Sequence, residues 1–249
     1  MVRNIFTLEN KRVVVTGAGS GIGRATAILC AASGAKVSLL DISRPALDET
    51  LSMMEGNGHQ SLAVDLTNST DMAGALRNVA EFFGPVDGLV HCAGISSRKP
   101  LNTLKKEGFA KVMDVNFYSF VELVRFFAKR GKMNDSGKIV VMSSISSVRG
   151  FKAKTEYCVS KAAVDAFVRC MALELAPRKI CINSVMASEV LTPMAVKAKE
   201  MNLSDADYET PLGPSQPEEI AGIIAFLLSD TVKTMTGSSI LVDGGALQI

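Results

Sequence analysis

The chain has 249 residues, of which 47% are hydrophobic and 21% charged, so it can bury a full core and lacks the composition of a disordered protein. Its 27 basic and 25 acidic residues nearly cancel, which argues against nucleic acid or a membrane surface as the main partner. No apolar stretch reaches the roughly 18 residues of a membrane span, and residues 1–10 lack the apolar core of a signal peptide.

Short apolar runs alternate with longer stretches of helical period along the chain. The predicted strands are residues 13–15, 36–40, 61–64, 88–91, 139–142, 180–185 and 240–242. The predicted helices are residues 21–33, 45–55, 71–83, 155–176 and 218–228, with one long helix or two abutting helices from 105 to about 130. Fully apolar strands separated by helices indicate a parallel sheet covered on both faces. We therefore predict a single α/β domain over residues 1–249, a Rossmann fold with a doubly wound sheet of about seven strands.

Residues 188–216 stand apart because they are too long for an ordinary strand-to-helix connection. The segment contains three prolines, and long insertions at this place are usually lids or binding loops. It supplies Met194, Met201, Leu203 and Tyr208, which either cover a reacting group or pack within the lid. We predict a substrate loop here.

Cysteine and histidine usage narrows the chemistry. The five cysteines form no Cys-x-x-Cys pair and lie in apolar runs, which predicts reduced core thiols in a cytoplasmic protein. The only histidines, His59 and His91, have no metal-like spacing, so we expect neither a metal site nor a Ser-His-Asp triad.

A glycine-rich segment, Thr16-Gly17-Ala18-Gly19-Ser20-Gly21-Ile22-Gly23, follows the first predicted strand. Its spacing differs from G-x-G-x-x-G, but strand, glycines and helix come in the order that a dinucleotide site requires. Glycine lets the backbone approach a pyrophosphate, and the helix start presents free N–H groups.

Asp41 ends the second predicted strand and bears on the choice of cofactor. A carboxylate there can bind a ribose 2′-OH and would repel a 2′-phosphate, which predicts NAD, with NADP less favoured. The alternative is that Asp41 caps the next helix or turn, and Arg44 lies close in sequence.

Three motifs taken together resemble the short-chain dehydrogenase/reductase family over the full length of the chain. They are the glycine pattern, Tyr157-x-x-x-Lys161, and Ser144 thirteen residues before the tyrosine. The resemblance implies hydride transfer between NAD(H) and a carbonyl or secondary alcohol. Tyr157 and Lys161 share one helix face, where an ammonium favours the phenolate and suits the tyrosine for acid–base catalysis.

The same resemblance implies further roles. Ser144, rather than its neighbour Ser143, would hydrogen-bond the reacting oxygen. Asn116 matches the family's asparagine that holds a water between lysine and solvent, so the implied catalytic set is Asn116, Ser144, Tyr157 and Lys161. The implied cofactor-binding set is Gly17, Gly19, Ser20, Gly21, Ile22, Gly23, Asp41, Asp65, Leu66, Cys92, Ala93, Gly94, Tyr157, Lys161, Val190 and Thr192. Two departures are His91-Cys92, where the family has two asparagines, and Ala187-Ser188, where it has Pro-Gly.

The substrate is less well indicated, and the expected walls of its pocket are residues 96–100, 146–154 and 188–216. A basic mouth is expected from Arg98, Lys99, Arg149, Lys152 and Lys154, which would suit an anionic substrate. The chain is most similar to 3-oxoacyl-carrier-protein reductases, in which an arginine at the position of Arg178 serves the acidic carrier. Those enzymes commonly use NADPH, which Asp41 disfavours.

Three functions follow from this comparison. The leading expectation is an NAD(H) oxidoreductase acting on a sugar, a polyol, a hydroxyacyl compound or another small carbonyl or alcohol. The alternatives are a 3-oxoacyl-thioester reductase using NADPH and an NAD-binding regulatory protein without turnover. Members of the family commonly assemble through the two long helices around the fifth strand, which implies a homotetramer or homodimer.

Overall fold

A computed structural model of the chain describes residues 7–200 and 209–248. Its strands are β1 Arg12–Thr16, β2 Lys36–Asp41, β3 Gln60–Ala63, β4 Val86–His91, β5 Met133–Ser144, β6 Cys181–Ala187 and β7 Ser239–Val242. They form one sheet in the order β3-β2-β1-β4-β5-β6-β7, and every neighbouring pair is parallel. The predicted α/β class and doubly wound parallel sheet are confirmed.

Helices cover both faces of this sheet. They are α1 Gly21–Ala32, α2 Arg44–Ser52, α3 Ser69–Phe83, α4 Lys106–Met113, α5 Ser119–Phe127, α6 Thr155–Leu175, α7 Pro193–Glu200 and α8 Pro217–Leu228. Strand side chains alternate between two apolar cores. Val14 packs with residues of α3, α5 and α6, whereas Val13 and Val15 pack with residues of α1, α2 and α8.

The stretch predicted as one or two helices from 105 to about 130 contains a π-helical turn. Asp114–Tyr118 joins α4 to α5, and the amide of Ser119 donates to the Asp114 carbonyl five residues earlier. A π turn adds one residue to the helix and frequently marks a functional site. The turn holds Asn116, whose side chain is fully buried.

The predicted substrate loop, residues 188–216, includes a helix that the sequence analysis missed. It contains α7, and a parallel bridge between Val190 and Ser215 brings its two ends together. Residues 201–208, which include Met201, Leu203 and Tyr208, lie outside the described residues.

The strand order creates a crevice beside β1. From β1 the chain first builds β2 and β3 on one side, then β4 to β7 on the other. In open α/β sheets, ligands bind at the carboxyl ends of the strands where the order reverses. The glycine segment after β1 and the segment after β4 both begin at this point. Among the described helices, none combines the length and apolarity needed to cross a membrane.

Candidate active site

A cavity of about 960 Å³ occupies the crevice at the carboxyl ends of the strands. It brings together nearly all the residues predicted for catalysis and cofactor binding. Those that line it are Gly17, Ser20, Gly21, Ile22, Gly23, Asp41, Asp65, Leu66, Cys92, Ala93, Gly94, Ser144, Tyr157, Lys161, Val190 and Thr192. Gly19 and Asn116 do not line the cavity, and the contacts of both are given below.

The glycine segment is shaped for close approach of a phosphate. Gly17 has a positive φ of 65°, and a Cβ there would lie 2.7 Å from the Ala93 amide nitrogen. A Cβ at Gly23 would collide with the Gly17 carbonyl oxygen. The backbone can therefore reach a pyrophosphate without obstruction, and the first N–H groups of α1 point toward it. This cradle fits the dinucleotide cofactor that the sequence implies.

Asp41 connects the glycine segment to the end of β2. One carboxylate oxygen accepts from the Gly19 amide at 3.0 Å, and the other accepts from the Ser43 amide at 3.0 Å. Asp41 therefore stabilises the following turn and also lines the cavity. Arg44 turns elsewhere, because its guanidinium donates to Ser61 and lies 3.7 Å from Asp48.

The lining at this end of the cavity is uncharged or acidic. It consists of Asp41, Ile42, Val64, Asp65, Leu66 and Thr67. Hydrogen bonds from the Thr67 hydroxyl and amide hold the pKa of Asp65 below its usual range. A 2′-phosphate would require a basic side chain at this end of the cavity. Within the described part of the chain, none lines it.

Lys161 and Tyr157 lie next to each other at the other end of the cavity. The Lys161 ammonium donates to the Met142 carbonyl at 2.8 Å and lies 5.6 Å from the centroid of the Tyr157 ring. Burial lowers the pKa of Lys161 to about 8, and the negative charge of Asp165 opposes that decrease. Lys161 is therefore still mainly protonated at neutral pH.

Two consecutive serines at the end of β5 have different partners. Ser143 Oγ donates to Asp165 at 2.9 Å, and Ser184 Oγ donates to the other oxygen of the same carboxylate at 2.7 Å. Ser144 Oγ accepts from the Ser146 amide at 3.2 Å, which leaves its O–H as a donor. Asp165 was missed by the sequence analysis, although it stands one helical turn after Lys161.

Asn116 braces the segment after β4 against α6. Its Oδ1 accepts from the Ile95 amide at 2.8 Å, and its Nδ2 donates to the Ile95 carbonyl and to Ser160 Oγ, both at 3.0 Å. A Cβ on Gly94 would lie 3.3 Å from Asn116 Oδ1 and 3.8 Å from Lys161 Nζ. Asn116 and Lys161 thus approach the same backbone.

The substituted pair His91-Cys92 retains a polar connection between strands. His91 Nδ1 lies 2.8 Å from Thr16 Oγ1 and Nε2 lies 3.4 Å from Ser119 Oγ, while the ring stacks on Phe120. The Cys92 amide also donates to the Thr16 carbonyl at 3.2 Å. Burial raises the pKa of the Cys92 thiol to about 12.

Acidification is expected to destabilise the folded protein partly through His91. Burial, and then the charge of Lys161, lower the pKa of His91 to about 3, against about 6.5 in an unfolded chain. The unfolded state therefore binds a proton that the folded state excludes, so stability is lost as the pH falls from about 6.5 towards 3. Between pH 7 and pH 5 the free energy of unfolding should fall by about 2 kcal/mol through this residue.

Urea unfolding of wild type and His91→Asn at pH 7, 6 and 5 measures this contribution. Asparagine does not titrate, so the variant should lose that part of the pH dependence whatever its stability at pH 7. His59→Asn serves as the matched control. Equal pH dependence in wild type and His91→Asn would contradict a buried neutral His91.

The second departure, Ala187-Ser188, is held by the end of β7. The Ser188 amide donates to the Val242 carbonyl at 3.3 Å, and Ser188 Oγ donates to the Asp243 carbonyl at 3.1 Å. The Asp243 carboxylate in turn accepts from the Gly245 and Leu247 amides. The backbone therefore follows a defined path without the usual Pro-Gly.

Most of the residues expected at a basic mouth lie outside the cavity lining. Of its five predicted residues, only Lys154 lines the cavity. Arg149 donates to the Ala246 carbonyl at 2.7 Å, and the Lys99 ammonium lies 3.7 Å from Glu156.

Arg178 is also committed to structure. Its guanidinium donates to Asp135, Ala128 and Met133, and the residue lies just before β6, at the opposite end of the sheet from Tyr157. These contacts explain Arg178 without a carrier protein.

Ser96, Ser146, Ser188 and Glu189, which lie in the segments expected as pocket walls, line the catalytic side of the cavity. Three further polar residues of the lining, Glu107, Lys111 and Asp114, were not expected from the sequence. None of these three belongs to a spaced motif, so only the folded chain identifies them.

Comparison with known proteins shows similarity over nearly the whole chain. A family model described as enoyl-(acyl carrier protein) reductase matches residues 17–246. A 3-oxoacyl-[acyl-carrier-protein] reductase of Thermotoga maritima is 34% identical over 241 residues, covering 96% of this chain and 98% of that protein. The L-xylulose reductase of Mus musculus is 36% identical over 251 aligned residues, covering 96% and 98%.

Two further similarities bear on the cofactor. An NAD-dependent glycerol dehydrogenase of Listeria innocua is 31% identical over 242 residues, covering 96% of this chain and 95% of that protein. A crystal structure of a variant of actinorhodin polyketide ketoreductase with NADPH is 27% identical, with a TM-score of 0.89 and coverage of 95% and 97%. Similar chains therefore include proteins named with each of the two cofactors.

Proposed function

The chain belongs to the short-chain dehydrogenase/reductase family, and from this premise we propose that it uses NAD(H) to interconvert a small polyhydroxylated ketone and its alcohol. As a member of the family it is an NAD(P)-dependent oxidoreductase that moves a hydride between a nicotinamide and a carbonyl or secondary alcohol. The regulatory alternative gains no support from relatives that are named reductases and dehydrogenases. The cofactor preference, the substrate class and the roles of individual residues are our proposal.

The position of Asp41 is the observation that carries the cofactor preference. Its carboxylate lines the cavity beside the glycine segment, and Ile42 beside it is exposed. A ribose 2′-OH can donate to this carboxylate, whereas a 2′-phosphate would meet like charge with no cation to balance it. The named cofactor of the Listeria innocua relative is consistent with this choice.

The substrate class rests on the polar catalytic side of the cavity. Glu107 and Glu189 can accept hydrogen bonds from substrate hydroxyls, and Ser96 and Ser146 can donate or accept. Three carboxylates balance three ammonium groups in this lining, so it has no excess positive charge to attract a phosphate or carboxylate group on the substrate. They are Glu107, Asp114 and Glu189 against Lys111, Lys154 and Lys161. Relatives named for L-xylulose, D-erythrulose and glycerol act on compounds of this kind.

The chemistry then divides among three side chains. Bound NADH supplies a hydride to the carbonyl carbon, and NAD⁺ accepts one in the reverse direction. Tyr157 donates its hydroxyl proton to the carbonyl oxygen during reduction and takes it back during oxidation. Lys161 places a positive charge beside the phenol, and the Ser144 O–H donates to the same oxygen as charge develops there. Asn116 holds the Ile95 backbone at the edge of this site.

We extend the proposal to the organisation of the protein. Residues 1–249 act as one domain, and residues 188–216 form the substrate loop, since Val190, Thr192 and Met194 line the cavity. The five cysteines are free thiols, which supports the cytoplasmic setting inferred from the sequence.

A homotetramer or homodimer is also part of the proposal. Tyr118 beside α5 and Val159 and Leu173 on α6 are exposed apolar residues, with Leu173 79% exposed. Exposed apolar faces on these two helices suit a symmetric subunit contact. Sedimentation equilibrium tests it by measuring the number of subunits.

The second candidate, a 3-oxoacyl-thioester reductase using NADPH, has one specific observation in its favour. Lys154 lines the cavity near Tyr157, with its ammonium 5.8 Å from the ring centroid, where it could meet an acidic substrate arm. The description of the matching family model and the Thermotoga maritima relative point the same way.

A spectrophotometric panel distinguishes these candidates. Oxidation of NADH and of NADPH is followed with L-xylulose, L-erythrulose, dihydroxyacetone, acetoacetyl thioester and a steroid ketone. We expect turnover with NADH and a keto sugar or triose, at a higher kcat/KM than with NADPH. A higher kcat/KM with NADPH and the acetoacetyl thioester would instead support the second candidate, the 3-oxoacyl-thioester reductase.

A further inference from the structure

Glu156 is a buried carboxylate that the chemistry above does not use. It precedes Tyr157 in the first turn of α6, and only 1% of its surface is exposed. A carboxylate inside a protein is costly unless it is hydrogen-bonded or ion-paired. The partners of the Glu156 carboxylate therefore indicate its role in the site.

Both partners of Glu156 come from the segment that follows β4. Ser97 Oγ donates a short hydrogen bond to Glu156 Oε2, and the Lys99 ammonium lies 3.7 Å from Oε1. Oε1 has no hydrogen-bond partner among the described residues, so Lys99 is the charge that faces it. We call Ser97, Lys99 and Glu156 the clasp.

The backbone reinforces the clasp at the start of α6. The Lys99 amide donates to the Ala153 carbonyl at 2.6 Å. Ala153 has a φ of 63°, in the left-handed region that costs a residue with a Cβ about 1–2 kcal/mol. A strained backbone persists only where its surroundings hold it, and the contact with Lys99 is one such constraint.

The clasp and Asn116 hold the segment on both sides of Ser96. Asn116 fixes the amide and carbonyl of Ile95, and Glu156 fixes the side chain of Ser97. Ser96 lies between them and lines the catalytic side of the cavity. Its placement therefore depends on both anchors, and both contact the helix that carries Tyr157, because Glu156 belongs to α6 and Asn116 donates to Ser160 of α6.

Helix α4 leaves no space around the clasp. A Cβ on Gly108 would lie 2.6 Å from the Lys99 ammonium and closer still to Glu156 Oε1. A single methyl group at Gly108 would therefore separate the clasp without changing any of its members.

We propose that Glu156 is a positioning residue for the substrate, which with Ser97 and Lys99 fixes the Ser96 wall of the pocket against the helix that bears Tyr157. This inference rests on the proposed function, because it concerns the pocket wall of that same site. Loss of the clasp should weaken substrate alignment and leave the distant adenosine end of the cofactor site intact.

Steady-state kinetics of Glu156→Gln, Glu156→Ala, Ser97→Ala and Gly108→Ala test the proposal with the best ketone from the panel. We expect KM for the ketone to rise about tenfold in Glu156→Ala, because small misplacements of binding groups have effects of this order. Glu156→Gln should show a smaller increase, since its amide oxygen still accepts from Ser97. In all four variants kcat should change less than about threefold, and Kd for NADH should be unchanged.

Gly108→Ala is the decisive variant because it retains Glu156 and favours helix formation. It should raise KM about as much as Ser97→Ala does, even if Glu156→Ala fails to fold. Glu81→Gln, an exposed glutamate on α3, is the matched control and should behave as wild type. An unchanged KM in Gly108→Ala and Ser97→Ala overturns the proposal.

Hydrogen–deuterium exchange separates this inference from the proposed function. Peptides spanning residues 95–104 should exchange faster in Ser97→Ala and Gly108→Ala than in wild type, whether or not the right ketone is known. Unchanged exchange in this segment contradicts the clasp. Absence of turnover by wild type with every ketone contradicts the proposed function, and the exchange result then decides the clasp alone.

Discussion

Tyr157→Phe is expected to lower kcat for ketone reduction by about 10²–10⁴-fold, the contribution that a positioned acid–base group makes. Phenylalanine retains the ring, so the packing of Lys154 and Lys161 around it is preserved. The reacting oxygen loses its proton donor, while the glycine cradle and Asp41 are untouched. Kd for NADH, measured by quenching of its fluorescence, should therefore change less than about twofold.

The matched control for this exchange is Tyr118→Phe. Tyr118 is 53% exposed and belongs to the π turn beside α5. The Tyr118→Phe substitution therefore removes the same hydroxyl group at a position outside the active site. It should retain the wild-type kcat. If Tyr157→Phe kept more than half of the activity, another group would have to supply the proton, and Tyr157 would not be the acid–base residue.

The fold class could be predicted because the signal is repeated along the chain. Each inner strand is apolar on both faces, as Val13, Val14 and Val15 show, and that pattern is typical of a sheet covered by helices on two sides. The π turn at Asp114–Tyr118 could not be predicted, since one inserted residue barely disturbs a helical period. Helix α7 was missed because its apolar pattern is weak, although Pro193 stands at its first position, where proline is tolerated.

The residues of the candidate site also fall into those that the sequence predicted and those that it did not. Residues with a fixed spacing, such as Tyr157 and Lys161, were identified because four residues make one helical turn. Glu156 and Asp165 were missed because each takes its partners from strands or segments distant in sequence. The structural partners of Arg178, which are Asp135, Ala128 and Met133, could not be predicted because they lie 43 to 50 residues away in the chain.

Asp41→Asn combined with Ile42→Arg is expected to shift the cofactor preference toward NADPH by roughly 100-fold in the ratio of kcat/KM values. Two contributions add, the loss of like-charge repulsion and a new hydrogen-bonded cation at the 2′-phosphate, each about 1.5 kcal/mol. Asparagine keeps a side-chain oxygen for the Gly19 or Ser43 amide, so the turn after β2 should survive. Initial rates with both cofactors at a fixed ketone concentration measure the ratio.

Asp48→Asn provides the matched control for this change in charge. Asp48 lies in the next helix, 3.7 Å from Arg44, and does not line the cavity. Asp48→Asn changes the net charge of the protein by the same amount as Asp41→Asn. If its cofactor preference stays that of wild type, the shift toward NADPH results from the position of Asp41 and not from the overall charge. A wild-type enzyme that already favours NADPH would contradict this role of Asp41, because its carboxylate would then serve only to accept from the Gly19 and Ser43 amides.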